Sequence, residues 1–91
     1  MSGQRRGRME IINDILSSIQ NKGGKIKPTH LLYKSNLSHQ KMKEYVKELI
    51  NKEMMKEEIE KEKKVFTITE KGEKFLVEFQ RIKEFSDSFG L

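Results

Sequence analysis

The apolar residues of this chain change their period near residue 54, and that change constrains the fold more than any other feature. From Met9 to Ile50 they recur three and four positions apart, the spacing of one helix face. From Met55 to Ile68 they fall in two short runs around a charged tip, and from Phe75 the helical spacing returns.

Local punctuation divides the first stretch into three helices. Residues 9–20 place Met9, Ile12, Ile15, Leu16 and Ile19 on one face and Asn13, Asp14, Ser17 and Ser18 on the other. Gly23-Gly24 supplies the left-handed geometry that ends a helix. Pro28 suits a first helical position and opens a short helix through Lys34. Ser35-Asn36-Leu37 reads as a turn. Ser38 is an N-cap for a third helix, 39–52, whose inward face is Met42, Tyr45, Val46, Leu49 and Ile50.

Met55-Lys56-Glu57-Glu58-Ile59 and Lys64-Val65-Phe66-Thr67-Ile68 read as a hairpin around Glu60-Lys61-Glu62-Lys63. The first strand is weak, because Glu and Lys are poor strand formers, and a helix over 53–64 is the competing reading. Thr69 can cap a last helix from Glu70 to about Ser86, striped by Phe75, Leu76, Phe79 and Ile82 and continued by Phe85 and Phe89. The expected fold is α+β: three helices, a two-stranded hairpin and a C-terminal helix. It forms one domain over residues 9–91, behind a flexible basic arm, residues 1–8.

With 91 residues and 34% of them hydrophobic, the core has to be small and strictly patterned. The absence of cysteine excludes disulfides and thiolate metal sites. Apolar runs are too short to cross a membrane, and the basic N-terminus lacks the apolar stretch of a secretory signal. A soluble, cytoplasmic protein is expected. The net charge of +5 is uneven. Residues 1–56 carry 12 Lys/Arg against 5 Asp/Glu, whereas residues 57–91 carry 7 against 9. A basic front half suits a polyanion, since each neutralised phosphate releases condensed counterions; a merely solvated surface is the alternative.

The second and third helices, joined by a tight turn, make a helix-turn-helix, whose second helix can lie in the major groove of DNA. With its apolar face inward, helix 39–52 points Gln40, Lys43, Glu44 and Lys47 outward, with His39 and Lys41 at the margins. Gln40 can pair with adenine, a lysine can donate to guanine or to phosphate, and Glu44 can accept from cytosine or pair with Lys41 or Lys47. Ser38 and Lys34 flank this face. Lys61, Lys63 and Lys64 of the hairpin can touch phosphates, against the repulsion of Glu57, Glu58, Glu60 and Glu62. Arg5, Arg6 and Arg8 can form an arm over the backbone or minor groove.

Three segments carry a resemblance: Met9-Glu10-Ile11-Ile12-Asn13-Asp14-Ile15-Leu16, Leu31-Leu32-Tyr33-Lys34-Ser35-Asn36-Leu37-Ser38, and Thr67-Ile68-Thr69-Glu70-Lys71-Gly72-Glu73-Lys74-Phe75-Leu76. Over about residues 8–80 the chain resembles an archaeal winged-helix family that includes the ten-a chromatin proteins of Sulfolobus and ArnR-like regulators. The resemblance implies a winged helix-turn-helix that binds double-stranded DNA through its third helix and wing, as a regulator or a nucleoid-associated chromatin protein. It also implies a homodimer through the last helix. Phe75, Phe79, Ile82 and Phe89 would form the seam, interrupted by Ser86, with Phe85 beside it.

No catalytic site is expected. His30 and His39 have no carboxylate neighbours in sequence, and Gly23-Gly24-Lys25 lacks the Gly-Lys-Ser/Thr run of a phosphate loop. No metal and no cofactor is called for. The rival function is a protein–protein adaptor presenting Phe85, Phe89 and Leu91; RNA binding finds only Tyr33 and Tyr45 as stacking residues.

Overall fold

The computed structural model describes residues 6–91. Its elements are α1 (Arg8–Asn21), β1 (Lys25–Ile26), α2 (Pro28–Ser35), α3 (His39–Asn51), β2 (Met55–Glu60), β3 (Lys63–Ile68) and α4 (Glu70–Ser88). Among the described residues no helix is long and apolar enough to cross a membrane.

Each helix begins and ends for a local reason. The Glu10 carboxylate accepts from the backbone N–H of Gly7, 2.8 Å away, at the start of α1. Gly23, at φ +83°, closes α1, its N–H and that of Gly24 bonding the carbonyls of Gln20 and Ile19. Pro28 opens α2, and Asn36, left-handed at φ 55°, ends it. The Ser38 hydroxyl accepts from the N–H of Lys41 at 3.1 Å, and the Thr69 hydroxyl accepts from that of Gly72 at 3.1 Å, capping α3 and α4.

The core is built from Ile12, Ile15, Leu16 and Ile19 of α1, Leu31 of α2, and Met42, Val46 and Leu49 of α3, closed by Ile26, Met55 and Phe66 of the sheet. Burying each such side chain is worth roughly 1.5–3 kcal/mol. The inward face read for α3 is the observed one.

The wing has three strands rather than two. In the antiparallel order β1-β3-β2, Lys25 and Ile26 pair with Thr67 and Phe66. A two-residue strand between Gly24 and Pro28 has no period to read. The hairpin excludes a helix over 53–64: Met55 through Glu60 pair residue for residue with Ile68 through Lys63. Met55 is the buried residue of β2; the rest are exposed, so on this outer edge Glu and Lys cost little and discourage strand addition.

Two boundaries differ from expectation at the chain ends. α4 runs to Ser88, two residues beyond Ser86. Arg8, expected in the arm, is the first residue of α1, and Arg6 bonds Asp14 and the carbonyls of Ser35 and Asn36. Residues 1–5 of that arm, Arg5 included, lie outside the described residues.

Candidate nucleic-acid interface

On α3, Gln40, Lys41, Lys43, Glu44 and Lys47 are all exposed. They are not equivalent. The Gln40 amide donates to Glu44 at 3.0 Å, and Lys41 approaches the same carboxylate at 4.0 Å. Among the described residues Lys43 and Lys47, one turn apart, have no carboxylate partner, so their full charge faces outward.

Lys43 and Lys47 edge a groove of about 510 Å³ between α3 and the wing, with His39 at one end. Met42, Val46, Ile50 and Phe66 contribute apolar surface to it, and Lys64 stands on the β3 side. Lys64 pairs with Glu57 at 3.6 Å, which moderates the acidity of the wing beside the groove. Lys61 and Lys63 are exposed at the wing tip, where Lys61 and Glu62 form a two-residue turn with φ of 51° and 66°. Ser38 is exposed, with its hydroxyl already engaged as the cap of α3.

Arg6 and Arg8, the described arginines of the N-terminal run, make contacts within the fold. Arg6 donates to the carbonyls of Ser35 at 2.9 Å and Asn36 at 3.1 Å, and pairs with Asp14 at 2.7 Å. It caps the C-terminus of α2, where helix carbonyls and dipole favour a cation. Arg8 makes a two-pronged ion pair with Glu48, joining the start of α1 to α3. Both interactions join residues far apart in the chain, and neither partner could be read from a run of N-terminal arginines.

A second basic cluster was missed. Lys22 at the end of α1 and Lys27, His30 and Lys34 along α2 lie close enough that the lysines act on the imidazole electrostatically. Partial burial, then the fields of Lys22, Lys34 and Lys27, hold the His30 imidazole below its usual 6.5. Lys34, expected beside the α3 face, belongs to this cluster. The spacing of residues 27, 30 and 34 along one helix side was a legible signal; the approach of Lys22 was not.

On α4 the expected seam divides. Phe75 packs against the domain core, so it is not free to serve a dimer alone; Phe79, half-buried, stacks on it with ring centroids 5.8 Å apart. Ile82, Phe85 and Phe89 are 62–66% exposed. Phe85 and Phe89 pack on each other at 4.9 Å.

The fold is shared with known proteins. The chain resembles Sso10a-2, described as a DNA-binding protein from Sulfolobus solfataricus, with 24% identity over 92% of this chain and 85% of that one (TM-score 0.80). A MarR family transcriptional regulator from Silicibacter pomeroyi matches with 20% identity over 82% of this chain and 51% of its own (TM-score 0.73). A winged-helix DNA-binding protein of STIV matches with 21% identity over 88% and 92% (TM-score 0.70). No curated protein matches the sequence. The family model described as "Winged helix-turn-helix" matches residues 5–87, which is nearly the whole chain. The chain therefore belongs to the winged helix-turn-helix family.

Proposed function

We propose that the protein binds double-stranded DNA as a transcriptional regulator or chromatin-associated protein, acting by binding rather than by catalysis. In this reading α3 enters the major groove, while Lys61, Lys63 and Lys64 of the wing reach adjacent phosphates. The observation that carries it is the pair Lys43 and Lys47, exposed and, among the described residues, without carboxylate partners, facing Lys64 across an open groove. The descriptions of the Sulfolobus and STIV proteins as DNA-binding support it. Gln40 and Glu44 are the base-reading candidates, and their mutual hydrogen bond has to open for either to read an edge. Such a protein resides with the DNA of its cell, nucleoid-associated in an archaeon.

The test is a salt titration of duplex binding. The logarithm of affinity should fall linearly with log salt, by roughly 0.9 per phosphate contacted. Lys43→Glu with Lys47→Glu should weaken binding and reduce that slope by about 2. Unchanged affinity at low salt would remove α3 as the docking face.

The same reading includes a homodimer through α4. The helix is about 28 Å long at roughly 1.5 Å per residue, and residues 75, 79, 82, 86 and 89 lie at heptad spacing. The exposure of Ile82, Phe85 and Phe89 supports a self-complementary seam along its outer half.

A further inference from the structure

We propose that Lys22, Lys27 and Lys34, gathered around His30, form a second station for the DNA phosphate backbone, and that filling it binds a proton on His30. The inference rests on the DNA-binding reading above and extends it to a face that neither α3 nor the wing tip supplies.

Three observations converge on this surface. First, residues 15–43 contain no Asp or Glu, so the turn from α1 into α2 carries lysines without local compensation. Second, the chain folds those lysines around a recess of about 340 Å³, which Lys22, Lys27 and His30 line together with Lys25 and Glu60. Lys25 and Glu60 form an ion pair across the sheet and neutralise each other there. Lys34, one turn beyond His30 on α2, adds a further charge. Lys22, Lys27 and Lys34 have no carboxylate partner among the described residues. Third, the recess and the α3–wing groove come together at the start of α2 and lie on opposite faces of the hairpin, with Glu60 and Val65 lining the recess and Glu57, Lys64 and Phe66 the groove. Lys27 lines the recess, and Pro28, the next residue, lines the groove. A phosphate backbone seated in the groove reaches the cluster by passing around the start of α2.

Phosphodiesters are the ligand this arrangement fits, because separated ammonium groups neutralise a row of single negative charges without needing a shaped pocket. His30 is the part that reports occupancy. In the free protein partial burial, then Lys22, Lys34 and Lys27, disfavour its charged form, while Lys25 and Glu60 are paired with each other. Phosphates beside it reverse the local field and favour imidazolium. Binding then takes up a proton between the free and bound titration ranges, and affinity rises as pH falls through them, by at most about tenfold per pH unit.

The experiment measures anisotropy of a labelled random-sequence duplex with the full chain, at several salt concentrations and from about pH 5.5 to 8, the range of histidine titration. Lys22→Gln, Lys27→Gln and Lys34→Gln together should lower the salt slope by about 2 to 3. His30→Gln should flatten the part of the pH dependence that belongs to the recess. A companion NMR titration of His30 in the wild type, free and DNA-bound, reads the proton uptake without any substitution. An unchanged slope in the triple variant, while Lys43→Glu/Lys47→Glu still weakens binding, overturns the station and leaves the α3 reading intact. A His30 titration that DNA does not move upward overturns the proton linkage. No duplex binding by the wild type sinks the underlying reading itself.

Discussion

The backbone carbonyl of Met54 occupies the space that a Cβ on Gly72 would need. That contact fixes the start of α4 against the turn that follows α3. Around it, the Thr69 hydroxyl donates to the carbonyl of Glu53 at 2.7 Å and the Lys71 ammonium to that of Lys52 at 2.8 Å. The end of one helix and the start of another therefore share their unsatisfied backbone groups.

Gly72→Ala tests this joint. In an open helix alanine is better than glycine by about 1 kcal/mol, so the naive expectation is stabilisation. Here the added carbon also meets Ile68 Cγ1 at 2.8 Å, and backbone on the Met54 side cannot rotate away. We expect a net loss of roughly 1–3 kcal/mol, with Tm lower by about 4–8 °C for each kcal/mol. A melting curve at or above wild type would show that α4 does not dock this way.

Arg6 should matter to stability more than its neighbour Arg8. Its guanidinium serves two carbonyls and a carboxylate at once, and at 33% side-chain exposure it is the less solvated of the two. Arg6→Ala should cost about 1–2 kcal/mol, and Arg6→Lys should restore little, because an ammonium cannot span the same fork. Arg8→Ala, which removes an exposed ion pair, should cost about 0–1 kcal/mol. Urea melts that rank the two in the opposite order would displace Arg6 as the cap of α2.

The wing tip holds a stabilising substitution. Lys61 and Glu62 both have left-handed backbone, the conformation of a type I′ turn, which favours Asn-Gly and costs other residues roughly 1 kcal/mol each. Lys61→Asn with Glu62→Gly should raise stability by about 1–2 kcal/mol without changing the strand register. Denaturation and amide exchange in β2 and β3 would measure it, and a loss of stability would contradict the turn.

The Lys25–Glu60 pair predicts a pH effect with a definite sign. The hydrogen bond and charge of Lys25 hold the Glu60 carboxyl below its usual 4.5. A depressed folded-state value means that the pair's contribution is present above the unfolded value and is lost as pH falls through the folded one. The same pair raises Lys25 above 10.5, so its contribution also fades at strongly alkaline pH. In carboxylate NMR titrations Lys25→Gln should move Glu60 upward, and no movement would mean the pair is not formed in solution.

Most of the architecture was legible because each helix carries its own boundary chemistry. Pro28, Ser38 and Thr69 mark starts, Gly23 marks a stop, and the stripe Met42-Tyr45-Val46-Leu49 turns the cationic side of α3 outward. The unread parts depend on elements meeting in space. β1 exists only because β3 offers Thr67 and Phe66 as partners. Arg6 looked like arm because the carbonyls it binds are contributed by residues 35 and 36. The cluster at His30 needed the end of α1 brought beside α2. Phe75 and Phe85 belong to the same apolar series, yet one faces the core and the other solvent, and periodicity alone assigns both to one face.

That division within α4 makes the dimer proposal separable from folding. Phe85→Glu and Phe89→Ser alter side chains that are 62% and 66% exposed and lie beyond the half of α4 that packs on the core. If the outer half of α4 is a seam between two copies, these changes should convert a dimer into a monomer in sedimentation equilibrium. The charge introduced by Phe85→Glu would have to be buried against its own copy, which is costly. Thermal stability should then become independent of protein concentration, whereas the wild-type Tm should rise with it. DNA affinity should also fall, because a dimer's second binding event is intramolecular. Phe75→Ser, by contrast, should lower the stability of the monomer itself, by about 2–4 kcal/mol. A wild-type chain that sediments as a monomer at all concentrations would sink the seam.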